Sequence, residues 1–213
     1  MPICDSRRPD IARAGSSRRG KQGILMRIGR AALMLMLATA AQSTVAQNLV
    51  LNGSFDQNVG FWQNPDPPPA TWSSLDVNAS ATSGSAQLRN ESSVADTRLY
   101  LLRQCLIPAQ TSQYRVEVAA LVSPQNTGGR LVVSRIDHSS ADCSGGATGF
   151  SGYFVDTSAA WQRTGGEIPS QIAAGSSIEL LIGVEKDAAG GSFVAYVDDV
   201  RLVPSPLFVS GFE

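Results

Sequence analysis

The sequence predicts an all-β fold, an antiparallel β-sandwich or barrel behind a cleaved export signal. Three observations carry that prediction. Apolar residues alternate with polar ones over short runs, as in half-buried antiparallel strands. No segment sustains the 3.6-residue period of an amphipathic helix. Clusters of Gly, Pro, Ser and Asn separate the runs at the spacing of sandwich turns.

The export signal comes first. Arg27 and Arg30 precede residues 31–41, which carry no charge, and Thr44-Val45-Ala46 follows. This is a basic segment, a short apolar segment and a small-residue cleavage site. The apolar run is too short to span a bilayer. The expected organisation is an extension over 1–25, a signal peptide over 26–46 starting at Met26, a sandwich over 47–203 and a tail over 204–213. Arg18-Arg19 has no apolar run directly behind it, so a twin-arginine signal is disfavoured.

Cleavage changes the charge. Of 17 basic and 18 acidic residues, eight and two lie in the first 46, leaving nine and sixteen. An acidic mature domain with scattered Arg and one Lys, Lys186, argues against a nucleic-acid partner. The single His138 excludes a histidine metal cluster. Cys105 and Cys143 remain as an even pair, which reads as a disulfide in an exported domain. The other reading is two separate buried thiols.

The strands follow in order. Tyr114, Val116, Val118 and Ala120 share one face, with Arg115 and Glu117 opposite. Ile178, Leu180, Ile182 and Val184 share another, opposite Ser177 and Glu179. Further strands are expected at 49–51, 70–73, 86–89, 98–106, 131–137, 149–154, 161–168 and 193–203. The Pro-rich stretch 65–69 reads as a surface loop. Asn52-Gly53 reads as a turn, with Gly supplying positive φ. Phe55 and Trp62 read as core plugs. Asp198 falls on the face of Val194, Tyr196, Val200 and Leu202, so it needs a partner there.

The opening Asn48-Leu49-Val50-Leu51-Asn52-Gly53-Ser54-Phe55-Asp56, followed by Gly60-Phe61-Trp62, resembles the start of the jelly-roll carbohydrate-binding modules of families four, nine and twenty-two. Residues 83–88, Gln104-Cys105 with Tyr114, Trp161, and the closing run 195–202 are similar to later motifs of those modules. The resemblance covers nearly all of 47–203. It implies a jelly-roll sandwich of the galactose-binding-like kind, exported from a bacterium, that binds a polysaccharide without catalysis. It also implies a structural calcium between the first and last strands, with Asp56 and Asp198 as side-chain ligands. Asp198 is equally served by backbone N–H groups or an Arg.

Sugar binding needs flat aromatic faces flanked by hydrogen-bonding side chains. Tyr114 and Tyr196 fall on inferred buried faces, and Trp62 and Trp161 match core positions of the resembled modules. That leaves Trp72, Tyr100 and Tyr153 as expected ligand platforms. A hydrolase would need more. Gly149-Phe150-Ser151-Gly152 stops one residue short of a nucleophile elbow. His138 reads as an exposed residue before a polar loop. The chain is therefore expected to be non-enzymatic. An adhesive or structural surface scaffold and a small hydrolase using Ser151 or His138 are the rival readings. The tail, ending in Phe208 to Glu213, resembles short endings of exported bacterial proteins.

Overall fold

The structure is a computed structural model that describes residues 47–108, 113–126, 128–156, 158–168 and 173–205. The expected extension and signal peptide, and tail residues 206–213, lie outside the described residues. Nine strands follow in chain order: β1 (Thr71–Ser73), β2 (Ser85–Asn90), β3 (Thr97–Leu106), β4 (Tyr114–Val122), β5 (Arg130–His138), β6 (Ala147–Val155), β7 (Gln162–Ile168), β8 (Ser177–Lys186) and β9 (Phe193–Pro204). One sheet has the order β1-β2-β9-β4-β7, the other β3-β8-β5-β6, and all pairings are antiparallel. The two sheets enclose one core. Leu88, Val116, Val197 and Leu202 enter it from the first sheet, and Leu131, Val133, Leu180 and Ile182 from the second. The chain is an antiparallel β-sandwich of the jelly-roll type.

The alternation read in β4 holds, and 131–137 falls within β5, whereas β8 keeps its inward set of Ile178, Leu180, Ile182 and Val184 but also buries Ser177 and Glu179 on the opposite face. The expected strand at 49–51 does not form. One main-chain bond, Leu49 N to Leu202 O, joins the segment to β9, and the Asn48 carboxamide supplies the rest of that contact. Its Oδ1 accepts from Val50 N and Leu202 N, and its Nδ2 donates to Val200 O. Gly53 also works differently from the expectation. The positive φ falls on Asn52 (50°), while a Cβ at Gly53 would sit 2.2 Å from the Val200 carbonyl. Phe55 is fully buried and stacks on Trp62 with ring centroids 5.9 Å apart. Gln104 clamps this opening segment: Leu51 N donates to its Oε1, and its Nε2 donates to the carbonyls of Leu51 and Phe61.

The face assigned to β9 needs correction. Phe193, Ala195 and Val197 point inward, and so do Val200 and Leu202. The change of parity is a β-bulge at Asp199-Val200, which together oppose Val118 where the β4–β9 register shifts, and Asp199 takes φ 47°. Tyr196 therefore lies on the outer face, half-buried, and not in the core. Trp62 is buried as expected, whereas Trp161 is only half-buried.

The disulfide Cys105–Cys143 ties the 139–146 loop to β3, with 6.0 Å between Cα atoms. That loop covers His138, which is buried at 8% exposure, contrary to the exposed position expected. Its Nδ1 lies 2.8 Å from the Gly145 carbonyl and its Nε2 2.7 Å from Glu179 Oε2. Both partners only accept, so both ring nitrogens carry hydrogen in the charged form. The bond to Gly145 raises the His138 pKa, burial opposes it, and Glu179 raises it further.

Two outcomes follow from this corner. Replacing both Cys105 and Cys143 by Ser opens a loop with a sequence separation of 38. The loss expected in urea denaturation is about 4 kcal/mol. His138 has a raised folded pKa, so its contribution is complete below about 6.5, the ordinary value, and declines as pH rises through the folded value. Melting temperature against pH should show this decline in the parent and lack it in His138→Gln.

Candidate functional site

The outer face of the five-stranded sheet carries a groove of about 310 Å³. Its position follows from register. Thr71 opposes Gln87, Gln87 opposes Tyr196, and Arg89 opposes Val194, all on that face. The Tyr196 hydroxyl accepts from Gln87 Nε2 at 2.9 Å, which fixes the ring against the sheet. Gln125, Asn126 and Ser192 complete the wall. Asn126 is locked by its own strand contacts, donating to Val194 O at 2.8 Å and accepting from Val194 N at 2.9 Å. The groove thus joins one aromatic ring to amide, hydroxyl and guanidinium groups.

Beside the groove, the part of the face around Asp198 is covered. The 76–80 loop crosses Asp198, whose Oδ2 accepts from Val77 N at 3.0 Å and whose Oδ1 accepts from Asp199 N at 2.6 Å. Burial pushes the Asp198 carboxyl up to about 6, against the pull of those two N–H groups. Asp76 organises the loop by accepting from Asn78 N, Ser80 N and the Ser83 hydroxyl. Asp199 pairs with Arg163 and Arg201. Burial alone would raise its pKa, but the two guanidinium groups bring it below the ordinary value.

The expected calcium ligands engage separate partners. Asp198 is buried and bonded as above, while Asp56 is exposed and accepts from the Ser54 hydroxyl at 2.8 Å. Among the described residues, no three His, Cys, Asp or Glu side chains gather into a metal-holding group. A calcium ion at Asp56 and Asp198 would need main-chain carbonyls for most of its shell.

The three expected platforms do not share a surface. Trp72 lies in the edge strand β1, 41% exposed, with its indole N–H on the Phe55 carbonyl at 2.8 Å. Tyr100 is half-buried on β3, with its hydroxyl 3.1 Å from Ser134 Oγ. Tyr153 turns inward from β6 and packs against the core. Sequence reading passed over Tyr196, hidden by the bulge, and over Phe150 and Phe154. These two stand exposed on the outer face of the four-stranded sheet, at 68% and 47%. Their alternation around Gly152 was the available signal. As for hydrolase chemistry, Gly145 and Glu179 hold both ring nitrogens of His138.

No protein-family model matches the sequence, and no curated protein does. Solved structures do match. The enzymatically active domain of tailspike protein 4 of bacteriophage CBA120 is 16% identical, with a TM-score of 0.54 over 74% of this chain and 21% of that one. This chain therefore spans about a fifth of that tailspike chain. A family 16 carbohydrate-binding module is 18% identical, with a TM-score of 0.50 over 73% of this chain and 99% of that one. A carbohydrate-binding module of the β-sandwich superfamily is 12% identical, with a TM-score of 0.51 over 75% and 62% of the two chains. At these identities the likeness is one of fold. The chain has the fold of the β-sandwich carbohydrate-binding modules.

Proposed function

We propose that this chain is a secreted, non-catalytic carbohydrate-binding module. Its groove on the five-stranded sheet holds a segment of a polysaccharide. The observation that carries the reading is Tyr196. Its ring lies on an open sheet face among Gln87, Arg89, Gln125 and Asn126. Such a ring stacks on the apolar face of a pyranose while the amides and guanidinium bond its hydroxyls. The fold shared with carbohydrate-binding modules supports the same reading. Export is supported by the disulfide, which suits an oxidising compartment. Among the described residues no helix is long and apolar enough to cross a membrane. The scaffold reading draws on the exposed Phe150 and Phe154, which offer a contact surface unrelated to the groove.

Pull-down on insoluble polysaccharides, with a glycan array in parallel, tests the groove. Tyr196→Ala is expected to weaken binding about tenfold, and Gln87→Ala about threefold. Trp72→Phe, outside the groove, should leave affinity unchanged. A folded domain that retains no glycan moves the assignment to the scaffold. Binding lost in Trp72→Phe but kept in Tyr196→Ala moves the site to β1.

Calcium belongs to the same proposal and rests on the resemblance, through Asp56 and Asp198. A bound ion raises native-state stability. Chelation with EDTA is therefore expected to lower the melting temperature, and restored calcium to recover it. An unchanged melt in metal-free buffer removes calcium from the reading.

A further inference from the structure

A second cavity, of about 80 Å³, lies between the sheets where the edge strands β6 and β7 come together. Val116 and Gly166 line it from the five-stranded sheet. Val133, Ser134, Arg135, Ser151, Gly152 and Tyr153 line it from the other. The closeness of the two edges is built into Gly166, where a Cβ would lie 3.0 Å from the Tyr153 ring. The volume exceeds that of one water probe several-fold, and suits a group of a few heavy atoms.

Arg135 gives the cavity its chemistry. Leu131 and Val133 point into the core from β5, and Arg135 continues their face by strand alternation. Its side chain is 2% exposed. One edge of the guanidinium is ion-paired: Nε lies 2.5 Å from Asp137 Oδ1. The other edge is not. Among the described residues, Nη1 and Nη2 have no hydrogen-bond partner, and neither does the buried Tyr153 hydroxyl. A buried guanidinium with unanswered donors is unfavourable, because burial strips its water without replacing it. Burial also depresses the Arg135 pKa, and Asp137 only partly restores it. The two terminal nitrogens of a guanidinium form a flat fork that fits the two oxygens of a carboxylate. The Tyr153 hydroxyl supplies a further donor.

We propose that the cavity between β6 and β7 is a binding site for a small carboxylate, held bidentately by Nη1 and Nη2 of Arg135 and by the Tyr153 hydroxyl. It is distinct from the Tyr196 groove, with which it shares no residue. Its ligand is a carboxylate group a few atoms across, free or carried on a larger molecule that enters between the two edges. Tyr153 thus becomes a ligand-binding residue through its hydroxyl and not through its ring face. Asp137 pairs with the guanidinium at Nε and leaves Nη1 and Nη2 to the ligand.

The test uses the full chain with sodium acetate as probe and sodium chloride at matched ionic strength as reference. Acetate is expected to raise the melting temperature saturably, since a ligand of the native state stabilises it. Chloride should not. Line broadening of labelled acetate gives the affinity directly. Arg135→Met is expected to abolish the acetate-specific rise. Tyr153→Phe removes one hydroxyl from a folded core and should weaken acetate about fivefold. That variant keeps the test valid where Arg135→Met fails to fold. The proposal is overturned by equal effects of acetate and chloride, by a rise that Arg135→Met retains, or by an affinity unchanged in Tyr153→Phe. Polysaccharide binding through Tyr196 is read separately and is independent of either result.

Discussion

The bulge at Asp199-Val200 is the constraint on which the five-stranded sheet depends. β9 lies in the middle of that sheet, between β2 and β4. Before the bulge, Val197 points into the core and Tyr196 points out. From its second residue on, Val200 and Leu202 point in. Without the extra residue, one half of β9 would present its apolar side chains to water. Two carboxylates hold the entry to the bulge, one from Asp198 just before it and one from Asp199 within it. Asp198 accepts the N–H of Asp199 and of Val77, and Asp199 engages Arg163 and Arg201. Asp is also among the few residues that enter the left-handed region at modest cost, and Asp199 sits there at φ 47°. The doublet Asp-Asp is thus a backbone device before it is anything electrostatic.

Side chains replace ladder hydrogen bonds wherever the chain leaves the sheets. Asn48 fastens the opening segment to β9, Gln104 clamps Leu51 and Phe61, Asn126 pairs with Val194, and Asp76 shapes the 76–80 loop. Lys186, fully buried, sends its three donors to the carbonyls of Ser92, Gly190 and Gly191. A buried polar group is tolerated when its donors and acceptors are answered. Each of these groups is answered by main chain, so each doubles as a loop anchor. The outward charges behave differently. Arg98 and Arg130 share Glu185, and Arg130 lies 3.7 Å from the centroid of the Phe154 ring. These partly exposed pairs each stabilise by only about 0–1 kcal/mol.

Sequence pattern reads the interior well because period two is a direct record of which side chains meet water. The inward sets of β4 and β8 and the burial of Phe55 and Trp62 were legible on that basis. So was the pairing of Cys105 with Cys143, by cysteine count and export signal. Features that interrupt a period were not legible. The bulge shifts parity by one residue without altering composition, and it moved Tyr196 from an inferred core to an open face. The strand expected at 49–51 is a coil pinned by the carboxamides of Asn48 and Gln104, which look in sequence like any other amides. His138 was read as exposed because its neighbours are polar. It is buried because Cys143 draws those neighbours back over it. Local polarity reports a loop's composition, while a crosslink decides where the loop lies.

The same reasoning explains why the groove stops short of Asp198 on its sheet face. The loop over Asp198 covers the end of the face nearest Ala119, which is fully buried though it points away from the core. Tyr196, two residues before Asp198, is the first ring beyond that cover. It can be open because Asn126 holds the next strand end without occupying the surface. Two other exposed rings are engaged differently. Trp72 spends its indole N–H on Phe55, and Phe154 lies beneath a guanidinium. A ring presents a face to a ligand only where the backbone turns it outward and neither a loop nor a cation covers it. On the five-stranded sheet, the bulge provides the first condition and the short reach of the 76–80 loop provides the second.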